Sequence, residues 1–140
     1  MLKLRITIRA HGPVPAGTAW ERYDRLDLWS TWSPQVSRVS VDGSDHRSQS
    51  HDRLSAGLTG RVHAPLGIWV GFTVLTLDRD AMRWSWQVRR GLLSVHLDHQ
   101  VTSRPDGSAT DLTVSGPAPL VLAYLPAAQF ALHRLVGAVD

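Results

Sequence analysis

Hydrophobic and polar residues alternate along most of the chain, which is the pattern of strands that bury one face. The first segment alternates clearly, with apolar Leu2, Leu4, Ile6 and Ile8 on one side and charged or polar residues on the other. We predict further strands over residues 35–41, 57–64, 69–77, 82–88, 93–101 and 109–115. Because the intervening turns are short, as at Pro105-Asp106-Gly107, the strands are expected to pair as an antiparallel sheet.

Helical patterns flank this series of strands. Residues 16–23 and 24–29 predict two short helices after the first strand, and Thr18 with Glu21 fits a capping box at the start of the first. The apolar stretch 118–132 predicts a long C-terminal helix with Pro119 in its first turn and a kink at Pro126. Spacings of three and four residues predict that its inner stripe is formed by Leu122, Leu125, Gln129, Leu132 and Val136.

These elements predict an α+β fold. A curved antiparallel sheet of about seven strands wraps the C-terminal helix, because only that helix is long enough to cover one face of the sheet. With 140 residues and 43% hydrophobic composition, the chain is expected to form a single domain over residues 1–140.

Composition and charge exclude several classes of function. The formal net charge is only +3 and the basic residues are scattered, so nucleic-acid binding is not expected. The chain has no cysteine, which excludes disulfides and thiolate sites and favours a reducing, cytoplasmic location. The apolar stretch 118–132 is short for a membrane span, so we expect no span. No motif indicates a cofactor.

Tryptophan is the anomaly of the composition, with 6 Trp against 2 Tyr and 2 Phe. Trp84 and Trp86 share the inward face of one predicted strand, and Trp32 lies at a helix-to-strand junction. Large aromatic side chains there form either the wall of a ligand cavity or the filling of an ordinary core. For any single tryptophan both interpretations stay open, whereas for the set a cavity wall is favoured.

His99 is the main polar candidate on the inward face. It could donate to a ligand or move a proton, or it could be a neutral buried histidine bonded to a neighbour. His96 lies three residues away along the strand and so faces the opposite side, which prevents the two from sharing a metal ion. His46 and His51 lack a carboxylate in a fixed frame, so no metal site is predicted. Tyr124 either offers its hydroxyl to the pocket or anchors the helix.

The order and spacing of these elements resemble the START and birch-pollen-allergen superfamily (SRPBCC), in particular its polyketide cyclase/dehydrase and lipid transport branch. The resemblance spans nearly the whole chain and rests on Trp20, the stretch Leu28-Trp29-Ser30-Thr31-Trp32-Ser33-Pro34, Gly57-Leu58-Thr59-Gly60, Trp84-Ser85-Trp86, Leu97-Asp98-His99-Gln100-Val101, Asp106-Gly107, Gly116-Pro117 and Tyr124-Leu125-Pro126. No catalytic signature comes with it. The resemblance implies a helix-grip fold with a central cavity.

Three functional hypotheses follow. The first is a carrier or sensor that binds a small hydrophobic, lipid-like or polyketide/aromatic molecule in a cavity lined by Trp32, Phe72, Trp84, Trp86, His99, Tyr124 and Leu125. The second is a cyclase/dehydratase-type enzyme, with His99 and Tyr124 as weak catalytic candidates. The third is a protein-interaction domain without a small ligand. A homodimer is allowed by the sequence but not indicated by it.

Overall fold

The computed structural model describes residues 2–42 and 53–138, and these residues form seven strands and three helices. In chain order the elements are β1 (Lys3–Gly12), α1 (Ala16–Asp24), α2 (Trp29–Trp32), β2 (Arg38–Val41), β3 (Thr59–His63), β4 (Trp69–Asp78), β5 (Arg83–Arg90), β6 (Leu93–Arg104), β7 (Gly107–Pro117) and α3 (Ala118–Val136). A 3₁₀ turn at Leu26–Leu28 separates α1 from α2. The predicted α+β helix-grip architecture is confirmed.

The seven strands form one antiparallel sheet in the order β1-β7-β6-β5-β4-β3-β2. The alternation in the sequence determines which side chains face inward: Trp84 and Leu97 are buried on the concave face, whereas Arg83 and Asp98 form an ion pair on the other face. A break in register between Val74 and Thr76 interrupts the pairing of β4 with β5. Such bulges bend a sheet and increase its twist, which helps the sheet curve around α3.

Helix α3 lies across β1 and β7 and covers the concave face. Its inner side is formed by Val121, Ala128, Ala131, Leu132, Leu135 and Val136, which are all buried. The prediction for Leu122 was wrong, because that side chain is exposed, and the true stripe includes the preceding residue Val121. The predicted inner residue Gln129 lies at the margin of the interface, where its amide nitrogen donates to the Arg9 carbonyl at 2.9 Å.

A buried arginine joins α1 to the end of α3. The Arg22 guanidinium donates from Nη1 to the carbonyl oxygens of Arg134, Leu135 and Gly137, at 3.2, 2.6 and 2.9 Å. These carbonyls belong to the last turn and the exit of α3, where helix carbonyls have no partner within the helix. The contact therefore fixes the two helices relative to each other.

Several predicted boundaries differ from the structure. The capping box is wrong: α1 begins after Pro15, and Thr18 lies inside the helix without a side-chain cap. The second helix lies further along the chain than predicted, at Trp29–Trp32, and β2 is limited to Arg38–Val41. Strand β7 extends through Pro117 and leads directly into α3, with Pro119 in the first turn as predicted. Residues 42–53 form the most polar segment of the sequence and predict a loop or hairpin, of which residues 43–52 lie outside the described residues.

By length and composition α3 is the one helix in the described chain that is long and apolar enough to cross a membrane. Its mean hydropathy is 1.2 over an 18-residue window, of which 33% is buried inside the protein. The prediction that this stretch is too short for a span does not hold on length alone, because the helix extends to 19 residues. Its buried side packs on the sheet, as is usual for a core helix.

Candidate ligand-binding cavity

A cavity of about 400 Å³ lies between the concave face of the sheet and α3. Most of its lining side chains are apolar or aromatic. They come from the segment after α1, from β3 to β7 and from α3: Trp29, Trp32, Ser33, Gln35, Val36, Val62, Val70, Trp84, Trp86, Val88, Arg89, Arg90, Leu93, Ser94, Val95, Leu97, His99, Leu112, Leu120, Tyr124, Ala128, Ala131 and Leu132. Only Arg89, Arg90 and Leu93 of this set are exposed, so the cavity reaches the surface beside the turn between β5 and β6.

Small residues of α3 leave the volume open. Ala128 and Ala131 are buried on the helix face that points at the sheet, opposite the indoles of β5. A leucine or phenylalanine at either position would project into this volume, whereas alanine does not reach the opposite wall. The cavity is therefore a consequence of pairing short side chains on the helix with a curved sheet.

Stacked and edge-on aromatic rings build one wall. The Trp84 ring stacks on the His99 ring with centroids 4.1 Å apart and planes 6° apart. The centroid of the Trp84 ring also lies 5.7 Å from that of Trp29 and 5.3 Å from that of Trp86. Because successive residues of a strand face opposite sides, Trp84 and Trp86 both point inward, two residues apart. The result is a rigid aromatic surface with several ring faces and edges.

His99 is held neutral within this wall. It is 5% exposed, and burial lowers the pKa of His99 to about 3, a shift that the Trp84 backbone and the Asp98 carboxylate only partly oppose. The imidazole is therefore uncharged at neutral pH and offers one N–H donor and one nitrogen acceptor. The Tyr23 ring lies edge-on to the His99 ring, with centroids 5.2 Å apart. The Tyr23 hydroxyl does not bond to His99 but shares a hydrogen bond of 2.6 Å with the Thr110 hydroxyl.

Four buried side-chain polar atoms have no hydrogen-bond partner among the described residues, and all four belong to the cavity lining. They are Gln35 Oε1, Trp84 Nε1, Trp86 Nε1 and His99 Nδ1. Leaving such an atom unpaired costs about 1–3 kcal/mol, so their concentration in one place calls for an explanation. The indoles of Trp29 and Trp32 differ, since both donate at 2.8 Å to backbone carbonyls of α1.

Tyr124 lies on α3 and also lines the cavity. Burial raises the pKa of its phenol, and a hydrogen bond with the Gln35 side chain opposes part of that shift. The hydroxyl stays protonated at neutral pH. It therefore acts as a hydrogen-bonding group between helix and sheet edge, next to the unpaired Gln35 oxygen.

The structure brings five of the seven predicted site residues to the cavity: Trp32, Trp84, Trp86, His99 and Tyr124. Phe72 does not line it but lies in the layer behind, with its ring 5.3 Å from that of Trp86. Leu125 is half-buried beside the core and is likewise not among the lining residues. Sequence reasoning missed Trp29 and Gln35, although Trp29 lies in the stretch that carried the family resemblance and Gln35 directly follows that stretch.

His96 lies on the outer face of the sheet and does not contribute to the cavity. His96 lies in a polar groove of about 430 Å³ together with Asp98 and Arg83, on the side opposite to His99. The prediction that the two histidines face different sides is confirmed. No group of three or more metal-ligating side chains occurs within residues 2–42 and 53–138, and His46 and His51 lie outside them.

A curved sheet that grips one long helix around an apolar cavity defines the class of helix-grip ligand-binding folds. The chain belongs to the polyketide cyclase / dehydrase and lipid transport family, whose model matches residues 3–139. The predicted superfamily is thereby confirmed. Among solved structures, the crystal structure of Ara h 8.0201 is similar, with a TM-score of 0.72 and 12% identity over 95% of this chain and 94% of that one. No curated protein sequence matches the chain.

Proposed function

We propose that the protein binds a small hydrophobic molecule in the cavity and serves as its carrier or sensor. Family membership and fold support hydrophobic ligand binding in general. The observation that carries the proposal is an apolar cavity of about 400 Å³ whose walls contain four unpaired polar atoms. That volume falls within the range of about 300–1,000 Å³ that is usual for ligand sites.

The walls indicate the class of ligand. Flat indole faces and edges favour a planar or polycyclic apolar body, and each 40 Å² of its surface that is buried contributes about 1 kcal/mol. The Trp84 and Trp86 N–H groups suit a ligand oxygen, while Gln35 Oε1 suits a ligand hydroxyl. Among the described residues no acidic side chain lines the cavity, so a cationic ligand would lack a counter-charge from them. We therefore propose a neutral aromatic or polyketide-like molecule with one or two oxygen functions, or a lipid of similar size.

Tryptophan fluorescence tests the proposal directly, because four tryptophans line the cavity. The protein is titrated with fatty acids, sterols and polycyclic phenols or quinones, and we expect a saturable change in emission with one of these classes. Ala128→Leu fills the cavity and should weaken binding by at least about tenfold. Ala127→Leu adds the same volume to an exposed position of α3 and should leave affinity unchanged.

Two outcomes would count against the carrier hypothesis. One is the absence of any saturable fluorescence or melting-temperature change across the whole panel. The other is equal affinity of the Ala128→Leu and Ala127→Leu variants, which would place the ligand outside the cavity. Circular dichroism of both variants establishes that each is folded.

A second candidate function is a cyclase/dehydratase reaction on a poly-ketone chain in the same cavity. The free Nδ1 of His99 and the nearby phenol of Tyr124 favour it, since both can hydrogen-bond a substrate oxygen. The low pKa of His99 makes it a poor proton acceptor at neutral pH, so its role would be hydrogen bonding to an enol or carbonyl oxygen. Full turnover by both His99→Phe and Tyr124→Phe would exclude these residues from any catalysis.

A filled core without a cavity would favour the protein-interaction hypothesis, so the cavity supports the binding of a small ligand instead. We propose that residues 1–140 act as one ligand-binding domain, since the sheet begins at residue 3 and the helix that covers it ends at residue 136.

The absence of cysteine supports a proposed cytoplasmic location. The homodimer stays a prediction for which size-exclusion chromatography with light scattering is the measurement.

A further inference from the structure

The end of the molecule at which the cavity opens has an unusual surface. Antiparallel pairing brings together the starts of β1, β2, β4 and β6, the ends of β3, β5 and β7, and the first turns of α3. We call this surface the mouth end and define it as residues 2–5, 33–39, 61–71, 88–95 and 115–122. It includes the exposed cavity residues Arg89, Arg90 and Leu93.

Charge is strongly polarised toward the mouth end. Its five segments contain no aspartate or glutamate but six exposed basic residues: Lys3, Arg5, Arg38, Arg61, Arg89 and Arg90. None of the six forms an ion pair within the described chain. Six of the other described arginines pair with a carboxylate: Arg9, Arg25, Arg53, Arg79, Arg83 and Arg104. Arg22 and Arg134 donate to backbone carbonyls, as Arg90 of the mouth end does to the Trp69 carbonyl at 3.3 Å. The mouth end therefore presents positive charge that the protein itself does not neutralise.

Aliphatic side chains project from the same surface. Leu66 at the turn between β3 and β4 is 96% exposed, and Leu92 at the turn between β5 and β6 is fully exposed. Ile68 and Leu93 beside them are also exposed. Neighbouring arginines pack on the Trp69 indole, with the Arg61 guanidinium 4.2 Å from the ring centre. Exposed apolar groups that cluster at a cavity opening mark a surface that contacts a partner.

Leu66 is also placed where folding does not favour leucine. Its φ of 68° lies in the left-handed region, which a side chain with a Cβ adopts at an energetic cost. Its exposure means that no core contact offsets that cost. Local stability would favour glycine or asparagine at this position. The fold therefore gives no reason of its own for a leucine at this position.

We propose that the mouth end docks on the surface of an anionic lipid bilayer. The basic side chains attract the phosphate layer, while Leu66, Ile68 and Leu92 enter the boundary between headgroups and acyl chains. In this orientation the cavity opening faces the acyl layer, so an apolar ligand passes between bilayer and cavity without crossing water. Docking rests on this surface alone, whereas ligand passage also rests on the proposed function.

The observations favour a bilayer over an acidic protein or a nucleic acid. Leu66 and Leu92 stand on two separate turns and are almost fully exposed, which suits insertion into an apolar layer better than the docking of one helix or strand. Basic residues alone would suit nucleic acid, but aliphatic tips gain nothing from a phosphate backbone. A lipid surface provides both partners at once, since it has anionic headgroups above an apolar layer.

Vesicle sedimentation with the full chain tests the proposal. Vesicles of phosphatidylcholine alone are compared with vesicles of equal parts phosphatidylcholine and phosphatidylglycerol, at low and high salt. We expect binding to the anionic vesicles that weakens at high salt. The double variants Leu66→Gly/Leu92→Ser and Lys3→Glu/Arg38→Glu should each weaken binding by about tenfold or more. Neither pair contributes to the cavity lining.

Matched controls lie elsewhere on the surface. Phe130→Ser removes an exposed aromatic residue from the fourth turn of α3, and Arg104→Glu reverses an exposed charge at the opposite end of the sheet. Both controls should bind vesicles like the parent protein. The proposal is overturned if the parent stays in the supernatant with anionic vesicles, if the controls lose as much binding as the mouth-end variants, or if the chain binds polyglutamate and not lipid.

The two proposals fail independently. Ligand titration of the parent and Ala128→Leu proteins reports only on the cavity, and sedimentation with ligand-free vesicles reports only on docking. If the parent protein binds ligand but not vesicles, the bilayer-docking proposal is refuted and the carrier proposal stands. If the parent protein binds vesicles but none of the ligands, the carrier proposal is refuted and the docking proposal stands.

Discussion

Lowering the pH should destabilise the fold through His99. Burial lowers the pKa of His99 to about 3 in the folded protein, whereas the unfolded chain has the ordinary value of 6.5. Between these values the unfolded state takes up a proton that the folded state refuses, so the free energy of unfolding falls as the pH falls. The loss begins as the pH drops below 6.5 and continues until it approaches the folded pKa.

The magnitude follows from the difference between the two pKa values. Each unit is worth about 1.4 kcal/mol, so a change from pH 7.5 to pH 5 should cost about 2 kcal/mol, most of it below pH 6.5. That is a large part of the stability of a typical domain. The lowered pKa of Asp98, caused first by its hydrogen bond with Arg83, lowers the free energy of unfolding further only at more acidic pH, where that carboxylate is protonated.

Urea unfolding at both pH values, followed by tryptophan fluorescence, measures the effect. His99→Phe keeps an aromatic ring against Trp84 but cannot be protonated, so its loss between the two pH values should be smaller by about 2 kcal/mol. His63, whose pKa is also lowered by burial, is present in both proteins and cancels in the comparison. Equal losses in the parent and the variant would refute the buried neutral imidazole, as would an NMR titration of His99 near pH 6.5.

Three further predictions concern the packing of α1 and α3, and equilibrium unfolding by urea measures all of them. Arg22→Ala should lower the free energy of unfolding by about 3 kcal/mol, because it leaves carbonyls at the end of α3 unpaired, and a loss below 1 kcal/mol would contradict that role. Tyr23→Phe should cost about 1–3 kcal/mol, since the Thr110 hydroxyl loses a buried partner at 2.6 Å, and an unchanged midpoint would show that the pair adds nothing. Gly12→Ala should destabilise by about 2 kcal/mol because its Cβ would lie 2.2 Å from a carbonyl oxygen at the end of α3. Gly17→Ala, which meets nothing within 4 Å in α1, should instead stabilise by about 0.5–1 kcal/mol; the reverse order of the two glycine variants would contradict the packing at this junction.

Strand alternation carried most of the fold prediction. The polar and apolar positions of β5 and β6 alternate without error, and the buried state of Trp84, Leu97 and His99 follows from that period alone. The phase of α3 did not follow, because this helix is apolar on nearly every side. With leucines at both 122 and 125, spacing alone does not decide which residues face the sheet.

The cavity was predictable in kind but not in its full lining. The predicted lining included the large aromatic residues but neither Ala128 nor Ala131. A cavity nevertheless depends on short side chains on one side as much as on large ones on the other. Phe72 alternates correctly on β4 and its ring lies 5.3 Å from that of Trp86, yet it does not line the open volume, and only three-dimensional packing shows that. The unpaired polar atoms likewise emerge only from coordinates.

The two margins of the sheet resist lengthening by a second copy. Strand β2 is only four residues long, and β1, although ten residues long, carries Lys3, Arg5 and Arg9 at alternate positions. If the β1 strands of two copies paired with their apolar side chains on the same face, odd-numbered residues would lie opposite odd-numbered residues. Basic side chains of the two copies would then lie next to each other and repel, which opposes the continued strand addition that produces fibres.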